Sequence, residues 1–191
     1  MRKSYAMTKL SAVLTRTDLP IAELSAARLD GELYAVDDGY SPIDIPCGPQ
    51  ERAASIAAYC QGRLMAEQRT AAWVWGALDL PPARHELCAS LGARARPAFP
   101  IRTVVREVVI DREEYVIVGG IGVTTPLRTI VDLARFSRSF GEVEAAIVAR
   151  LAAVYSITLD RCRAEMDART NLPNKRRAVK RLETAWTTTP S

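Results

Sequence analysis

The alternation of apolar and polar positions is most regular in residues 122–135, Gly-Val-Thr-Thr-Pro-Leu-Arg-Thr-Ile-Val-Asp-Leu-Ala-Arg. Apolar side chains recur there three and four residues apart, which is the spacing of one helix face. Thr125 suits the N-cap position, and Pro126 suits the first helical position, where no backbone N–H is needed. We therefore predict a short strand followed by a capped helix, with Arg128, Asp132 and Arg135 on its polar face.

The N-terminal third has the pattern of two short helices and a hairpin. Residues 7–16 and 21–29 are typical of helices. The segments 32–36 and 40–45 read as strands on either side of Asp37-Asp38-Gly39, a hairpin turn of the Asp-Gly type. This order predicts a winged helix-turn-helix.

The remainder changes from helices to strands and back. Predicted helices cover 50–60 and 68–78, predicted strands cover 86–91, 103–110, 115–118 and 121–123, and predicted helices cover 126–136, 141–153, 159–168 and 174–186. The fold class is therefore α+β: an N-terminal winged helix-turn-helix, then a C-terminal domain of a small, mainly antiparallel sheet packed with several helices. The predicted divisions are a winged-helix-like module (1–48), linking helices (49–80), an α+β domain (81–186) and a disordered tail (187–191).

Charge is distributed unevenly along the 191 residues. The net charge of +4 combines a balance of −2 in residues 1–50, where 5 basic side chains face 7 acidic ones, with +3 in 51–140 and +3 in 141–191. A pI near 9.0 admits a polyanionic partner. No apolar run approaches the roughly 20 residues of a membrane span, and no signal peptide is evident, so we expect a cytoplasmic protein without a membrane partner.

The cysteine and histidine pattern predicts neither a metal site nor a disulfide. Cys47, Cys60, Cys88 and Cys162 lack CxxC spacing, which favours four buried free thiols. His85 has no evident acid–base partner, so we expect it to lie at the surface or to be a hydrogen-bonded structural residue. The sequence indicates no cofactor.

Three segments carry a resemblance to a known family. Residues 122–135 resemble a signature of the AbiEi-like antitoxins and transcriptional regulators of type IV, abortive-infection toxin–antitoxin systems. Residues 29–40, Leu-Asp-Gly-Glu-Leu-Tyr-Ala-Val-Asp-Asp-Gly-Tyr, resemble the wing of that family, and residues 69–76, Arg-Thr-Ala-Ala-Trp-Val-Trp-Gly, resemble its linking helix. The strand block 103–118 precedes the signature, in the order expected of the family. The resemblance covers roughly residues 10 to 185, and only the segment 122–135 is fairly specific.

The resemblance implies a protein that is not an enzyme. Its winged helix would bind operator DNA and repress the operon, and its C-terminal domain would neutralise a nucleotidyltransferase-type toxin. In many related proteins a restriction-type nuclease domain follows. The acidic turn 111–114 does not supply such a nuclease, because no Lys occurs between Lys9 and Lys175. The glycines in 119–122 are best explained as a turn, since the third Gly and the Lys of a phosphate loop are missing.

The predicted wing departs from the family at Asp37 and Asp38, where arginines usually meet the phosphate backbone. Two carboxylates at an exposed tip would repel a duplex. Three interpretations stay open. In the first, the helix 21–29 reads DNA, with Arg28, Arg16 and Lys9 as candidate contacts. In the second, the module has lost DNA binding and serves protein–protein interaction. In the third, the chain is a catalytically empty relative of the nuclease-bearing proteins.

The last predicted helix carries the strongest basic patch in the chain. Its candidate contacts to an acidic toxin surface or to DNA are Lys175, Arg176, Arg177, Lys180 and Arg181. A solvated helix face is the alternative.

The signature residues Thr125, Pro126, Arg128, Thr129 and Asp132 allow two interpretations. An exposed Arg–Asp pair four residues apart contributes only a few tenths of a kcal/mol. We therefore expect Arg128 or Asp132 to be partly buried and to hold neighbouring strands or turns as a structural lock. The alternative is a toxin-contact surface.

Overall fold

The structure, a computed structural model, describes residues 12–93 and 99–188. Within these residues the fold is α+β, as predicted. The helices are α1 (Ile21–Leu29), α2 (Pro49–Ser55), α3 (Gln68–Val74), α4 (Pro126–Phe136), α5 (Glu142–Val154), α6 (Leu159–Asp167) and α7 (Lys175–Thr188). The strands are β1 (Leu33–Val36), β2 (Gly39–Pro42), β3 (Met65–Ala66), β4 (His85–Ser90), β5 (Thr103–Val108), β6 (Tyr115–Val118) and β7 (Ile121–Thr124). A single 3-10 turn, Arg112–Glu114, precedes β6.

The N-terminal part consists of α1 and the β1–β2 hairpin, and the bounds of α1 agree with the prediction. The predicted helix 7–16 is not observed in its described part, residues 12–16. Leu14 instead forms a bridge with Tyr40 of β2, with N···O distances of 2.7 and 2.8 Å. That pairing requires an extended backbone and is therefore incompatible with a helix there. Residues 7–11 lie outside the described residues, and a winged helix-turn-helix is not established.

The larger sheet has the order β5-β4-β3-β7-β6 and is mixed. The pairs β4–β5 and β3–β7 are parallel, whereas β3–β4 and β6–β7 are antiparallel. The prediction of a mainly antiparallel sheet is therefore wrong. It failed because β3 is only two residues long, too short for a periodic signal, yet it occupies the centre of the sheet.

Helix α3 lies between the sheet and the helical layer. Trp73 and Val74 pack with the sheet core, which includes Leu87 and Val123. Ala72 packs with the helical core of α4 to α7. The indole N–H of Trp75 also donates to the carbonyl of Thr124, at 2.8 Å. This short helix therefore joins two cores, which explains why its residues from Gln68 to Val74 are almost all buried.

The C-terminal helices lie close to their predicted positions. The bounds of α4 agree, whereas α7 continues to Thr188, so Thr187 and Thr188 are helical and not part of a disordered tail. Residues 189–191 lie outside the described residues. Within residues 12–93 and 99–188, no helix is long and apolar enough to cross a membrane.

The four cysteines are free thiols, with Cys60, Cys88 and Cys162 buried and Cys47 half-buried. Burial raises the pKa of Cys60 and of Cys162 to about 12. Both thiols are therefore protonated at neutral pH and are poor nucleophiles. Their role is packing.

The β6–β7 hairpin closes through a two-residue turn, Gly119–Gly120, and both residues have positive φ, +54° and +83°. A pair of left-handed residues is the requirement of the turn that suits hairpin twist. The two glycines differ in their surroundings. A Cβ on Gly119 would collide with the backbone of α2, including the carbonyl of Gln50 and the amide of Ala54 at 2.7 Å, whereas a Cβ on Gly120 would meet nothing within 4 Å.

We expect Gly119→Ala to lower the free energy of unfolding by about 1 to 3 kcal/mol more than Gly120→Ala. Both variants share the cost of a side chain at positive φ, about 1–2 kcal/mol, but only the first also forces α2 away from the hairpin. Urea denaturation of the two variants and the parent chain measures the difference. Equal losses would contradict the packing of the turn against α2.

Candidate functional site

The signature segment forms the N-terminus of α4 as its residue types predict. The Thr125 side chain caps the helix by accepting from the Arg128 amide, at 3.3 Å, and Pro126 is the first helical residue. The hydroxyls of Thr124 and Thr129 are 2.8 Å apart, which fastens the end of β7 to the first turn of α4. The position and direction of α4 are therefore determined by local hydrogen bonds.

The polar face of α4 is buried as well as its apolar face. Asp132 is only 1% exposed, and its carboxylate accepts from Arg128 Nε at 2.8 Å and from Arg135 Nη1 at 3.1 Å. Arg106 of β5 reaches the same carboxylate at 3.4 Å. A buried carboxylate requires such partners because desolvation of an unpaired charge costs several kcal/mol. Arg128 and Asp132 thus join α4 to the sheet.

Two glutamates complete this buried charge cluster, which we define as Arg106, Arg128, Arg135, Arg169, Glu67, Glu114 and Asp132. Glu67, at the N-cap of α3, receives a bidentate pair from Arg106, Nε to Oε1 at 3.0 Å and Nη2 to Oε2 at 2.6 Å. Burial raises the pKa of Glu67, and the hydrogen bonds from Arg106 oppose that rise. The pairing therefore offsets part of the cost of placing Glu67 in the core.

Glu114 connects α4 to the segment after α6. It accepts from Arg128 Nη1 at 2.5 Å and also pairs with Arg169. Burial alone would raise the pKa of Glu114, but the hydrogen bonds from Arg169, the Asp111 amide and Arg128 hold it below its ordinary value. Glu114 is therefore ionised at neutral pH and stabilises both guanidinium groups.

A cleft of about 560 Å³ opens beside the cluster, between the end of β5, the end of α4 and the α6–α7 loop. All four arginines of the cluster line it, together with apolar side chains that include Val108, Phe136 and Leu172. The guanidinium carbons of Arg106 and Arg135 lie 3.7 and 4.4 Å from the centre of the Phe136 ring. The stacking and the ion pairs together fix the arginines at the wall of the cleft.

The basic residues of α7 divide into two groups. Arg177 donates to the carbonyl of Arg135 at 2.5 Å, and Arg181 donates to the carbonyls of Ala134 and Ser137 at 2.9 and 3.1 Å. Both therefore cap the C-terminus of α4, where cations also suit the helix dipole. Lys175 pairs with Asp167 at 2.6 Å.

Arg176 and Lys180 are exposed and lie one helical turn apart, so their side chains share the outer face of α7. They are the two members of the predicted basic patch whose side chains make no ion pair or hydrogen bond within the described residues, although Arg177 is exposed as well. The five-residue contact surface stays a prediction, and the structure adds that three of its members also make contacts within the fold.

The predicted DNA contacts are placed as follows. Arg28 is exposed in the last turn of α1, and Arg16 is exposed in the turn before α1. Lys9 lies outside the described residues. Arg16 also lines a cleft of about 680 Å³ between the hairpin loop and the α2 region.

Asp37 and Asp38 are not a free acidic tip. Asp37 is 3% exposed, and its carboxylate accepts from Arg102 Nη2 at 3.1 Å and pairs with Nε2 of the fully buried His85 at 3.0 Å. Asp38 pairs with Arg102 at 3.5 Å and accepts from the Tyr59 hydroxyl. The expectation of two exposed carboxylates is therefore corrected for Asp37, whose side chain is buried, whereas the Asp38 side chain is 53% exposed and shares Arg102 with Asp37.

Sequence reasoning missed several members of these clusters, namely Glu67, Arg102, Arg106, Glu114 and Arg169. For Arg106 a signal existed. A lone arginine within a strand of β-branched residues must place its charge at a paired site or at an edge. His85 was expected at the surface or hydrogen-bonded, and its partner, 48 residues earlier in the chain, has no local signal.

The family profile of the AbiEi antitoxin C-terminal domain matches residues 62–183, from before β3 into α7. Comparison with curated protein sequences gives no significant match. Among solved structures, the crystal structure of the RV2827C protein from Mycobacterium tuberculosis is similar, with 17% sequence identity and a TM-score of 0.48 over 91% of this chain and 72% of that one. The matched domain contains α3 to α6, the buried charge cluster and most of α7, and the chain therefore belongs to the AbiEi antitoxin family.

Proposed function

We propose that the chain neutralises a nucleotidyltransferase-type toxin through residues of its C-terminal part and binds operator DNA through its N-terminal part, as a transcriptional regulator. The observation that carries the proposal is the match to an antitoxin domain over residues 62–183. Membership of an antitoxin family supports a toxin partner in general. The nucleotidyltransferase identity and the operator remain parts of the proposal. The proposed function also implies that the protein is cytoplasmic, because operator DNA lies in the cytoplasm.

The proposed toxin contact centres on Arg176 and Lys180. Both are exposed within the matched segment, and no carboxylate neutralises them in the described residues. Residues 141–191 carry 9 basic and 6 acidic side chains, a balance of +3. An acidic toxin surface would be attracted to this face, and such complementarity favours fast and selective association.

The proposed DNA contact centres on Arg16 and Arg28. Burial of the Asp37 side chain against Arg102 withdraws one of the two carboxylates that would oppose DNA binding at the hairpin loop, while the Asp38 side chain is 53% exposed. The contacts would come from α1 and the turn before it, where both arginines are exposed.

A second candidate function is a protein–protein interaction module that no longer binds DNA. It is favoured by apolar side chains on α1, where Ile21 is 44% exposed and Leu29 is 88% exposed. Exposed apolar groups on a helix that buries only Leu24 suit a protein partner better than a phosphate backbone.

Charge reversal at Arg176 and Lys180 (R176E/K180E) should weaken toxin binding by about tenfold or more, because two attractions become repulsions at the interface. Co-purification with the toxin from the adjacent reading frame and growth of toxin-expressing cells both measure this. Arg177 and Arg181 are kept, since their loss would uncap α4.

The matched control is R150E/R161E, which makes the same change of net charge at exposed positions of α5 and α6. It should bind the toxin normally. Equal weakening in both double variants would show that only net charge matters, and normal binding by R176E/K180E would remove α7 from the interface.

Loss of both N-terminal arginines (R16A/R28A) should weaken binding to the DNA upstream of the gene. If each arginine meets one phosphate, the slope of log binding constant against log salt should fall in magnitude by about 1.8. Gel shifts across a salt series measure the slope, with R161A as the control. Absence of any shift at low salt with the parent chain would reject operator binding and favour the second candidate.

A further inference from the structure

The geometry points to a binding site for a small organic phosphate in the arginine-lined cleft between β5, the end of α4 and the α6–α7 loop. The site is separate from the exposed face of α7 and from the N-terminal part. It does not depend on the proposed toxin or operator.

The first argument is the hydrogen-bonding capacity left on the arginines. Arg135 is about nine-tenths buried, with its Nε donating to the carbonyl of Pro173 at 3.1 Å and its Nη1 to Asp132. In Arg106, the Nε and Nη2 atoms serve Glu67 and Asp132. No hydrogen bond occupies Arg135 Nη2 or Arg106 Nη1, and neither atom is among the buried unpaired atoms of the described residues. Both atoms belong to arginines that line the cleft, so each of these arginines keeps donor capacity for a ligand.

The second argument is the balance of charge. Four guanidinium groups line the cleft, and three buried carboxylates, Glu67, Glu114 and Asp132, pair with them. Arg169 has further carboxylates nearby, Asp111 at 3.8 Å and Glu165 at 3.6 Å, whereas Arg135 has only Asp132 among the described residues and shares it with Arg106 and Arg128. Burial lowers the pKa of Arg135, Asp132 opposes this, and the neighbouring Arg128, Arg106 and Arg169 lower it further. Arg135 therefore shares its one carboxylate with two other guanidinium groups, and an anion in the cleft beside it would add negative charge there.

The third argument concerns the shape of the anion. Arg106 and Arg135 converge on one carboxylate, Asp132, and Arg169 reaches the cleft from the α6–α7 loop. Three guanidinium groups from different elements match the three terminal oxygens of a phosphate better than the two oxygens of a carboxylate. The cleft volume lies within the range of small-molecule sites, and its apolar side chains leave room for an organic group beyond the phosphate.

The test is calorimetric titration of the full chain at low salt with three probes: inorganic phosphate, adenosine monophosphate and citrate. We expect inorganic phosphate to bind, the monophosphate to bind more tightly, and citrate to bind more weakly than either. Citrate binding as tightly as phosphate would overturn the assignment to a phosphate. If adenosine monophosphate binds no more tightly than inorganic phosphate, the inference that the ligand carries an organic group is overturned.

Variants locate the binding. Arg169→Ala should weaken monophosphate binding by about tenfold, the cost of a charge-assisted hydrogen bond. Arg169→Lys keeps the charge beside Glu114 but loses the planar fork, and it should weaken binding less than Arg169→Ala. Arg161→Ala is the matched control, because Arg161 is exposed on α6 and lines neither this cleft nor the depression next to it. The unfolding temperature of each variant checks that it folds.

Equal effects of Arg169→Ala and Arg161→Ala would show unspecific attraction to a basic surface and would overturn the site. Absence of binding by both phosphate probes at millimolar concentration, with a folded parent chain, would overturn it as well. Because neither toxin nor DNA is present in these titrations, their outcome is separate from that of the proposed antitoxin function.

Discussion

The carboxylate of Asp132 is the point at which the parts of this domain meet. It is almost fully buried and accepts from arginines of its own helix and of β5. Through Arg106 the network continues to Glu67 at the start of α3, and through Arg128 to Glu114 before β6. Breaking a buried ion pair by removing one partner costs about 3–5 kcal/mol, because the other charge is left without compensation. The ion pair that joins α4 to Arg106 of β5 therefore depends on this single side chain.

A buried ion network is a weak source of net stability, since well-packed apolar groups often serve as well or better. Its advantage here is geometric. Each guanidinium group is fixed by at least one carboxylate, and those of Arg106 and Arg135 also stack on Phe136. Side chains fixed in this way lose little further entropy when they bind an anion. The cluster that holds α4 in place thus also prepares the wall of the neighbouring cleft.

The sequence predicted those elements whose signals are local. The cap and first residue of α4, and the limits of α1 and β6, follow from residue types within a few positions. It failed where the determinant is distant in the chain. Strand β3 gains its place only by pairing with β4 and β7, and Asp37 is buried by Arg102, which is 65 residues away. For the site, the residues of α4 were predicted, whereas Arg106 and Arg169 come from elements that only tertiary packing brings to it.

The hairpin loop illustrates why composition misleads in such a case. By sequence, Asp37 and Asp38 add two negative charges to an acidic N-terminal third. In the structure Arg102 lies against both, and Asp37 also contacts the buried His85. A like argument applies to α7, where two of five basic residues cap α4 and a third pairs with Asp167. The charges most available to a partner are those without an ion pair or hydrogen bond inside the fold. In the described part of α7 these are the charges of Arg176 and Lys180.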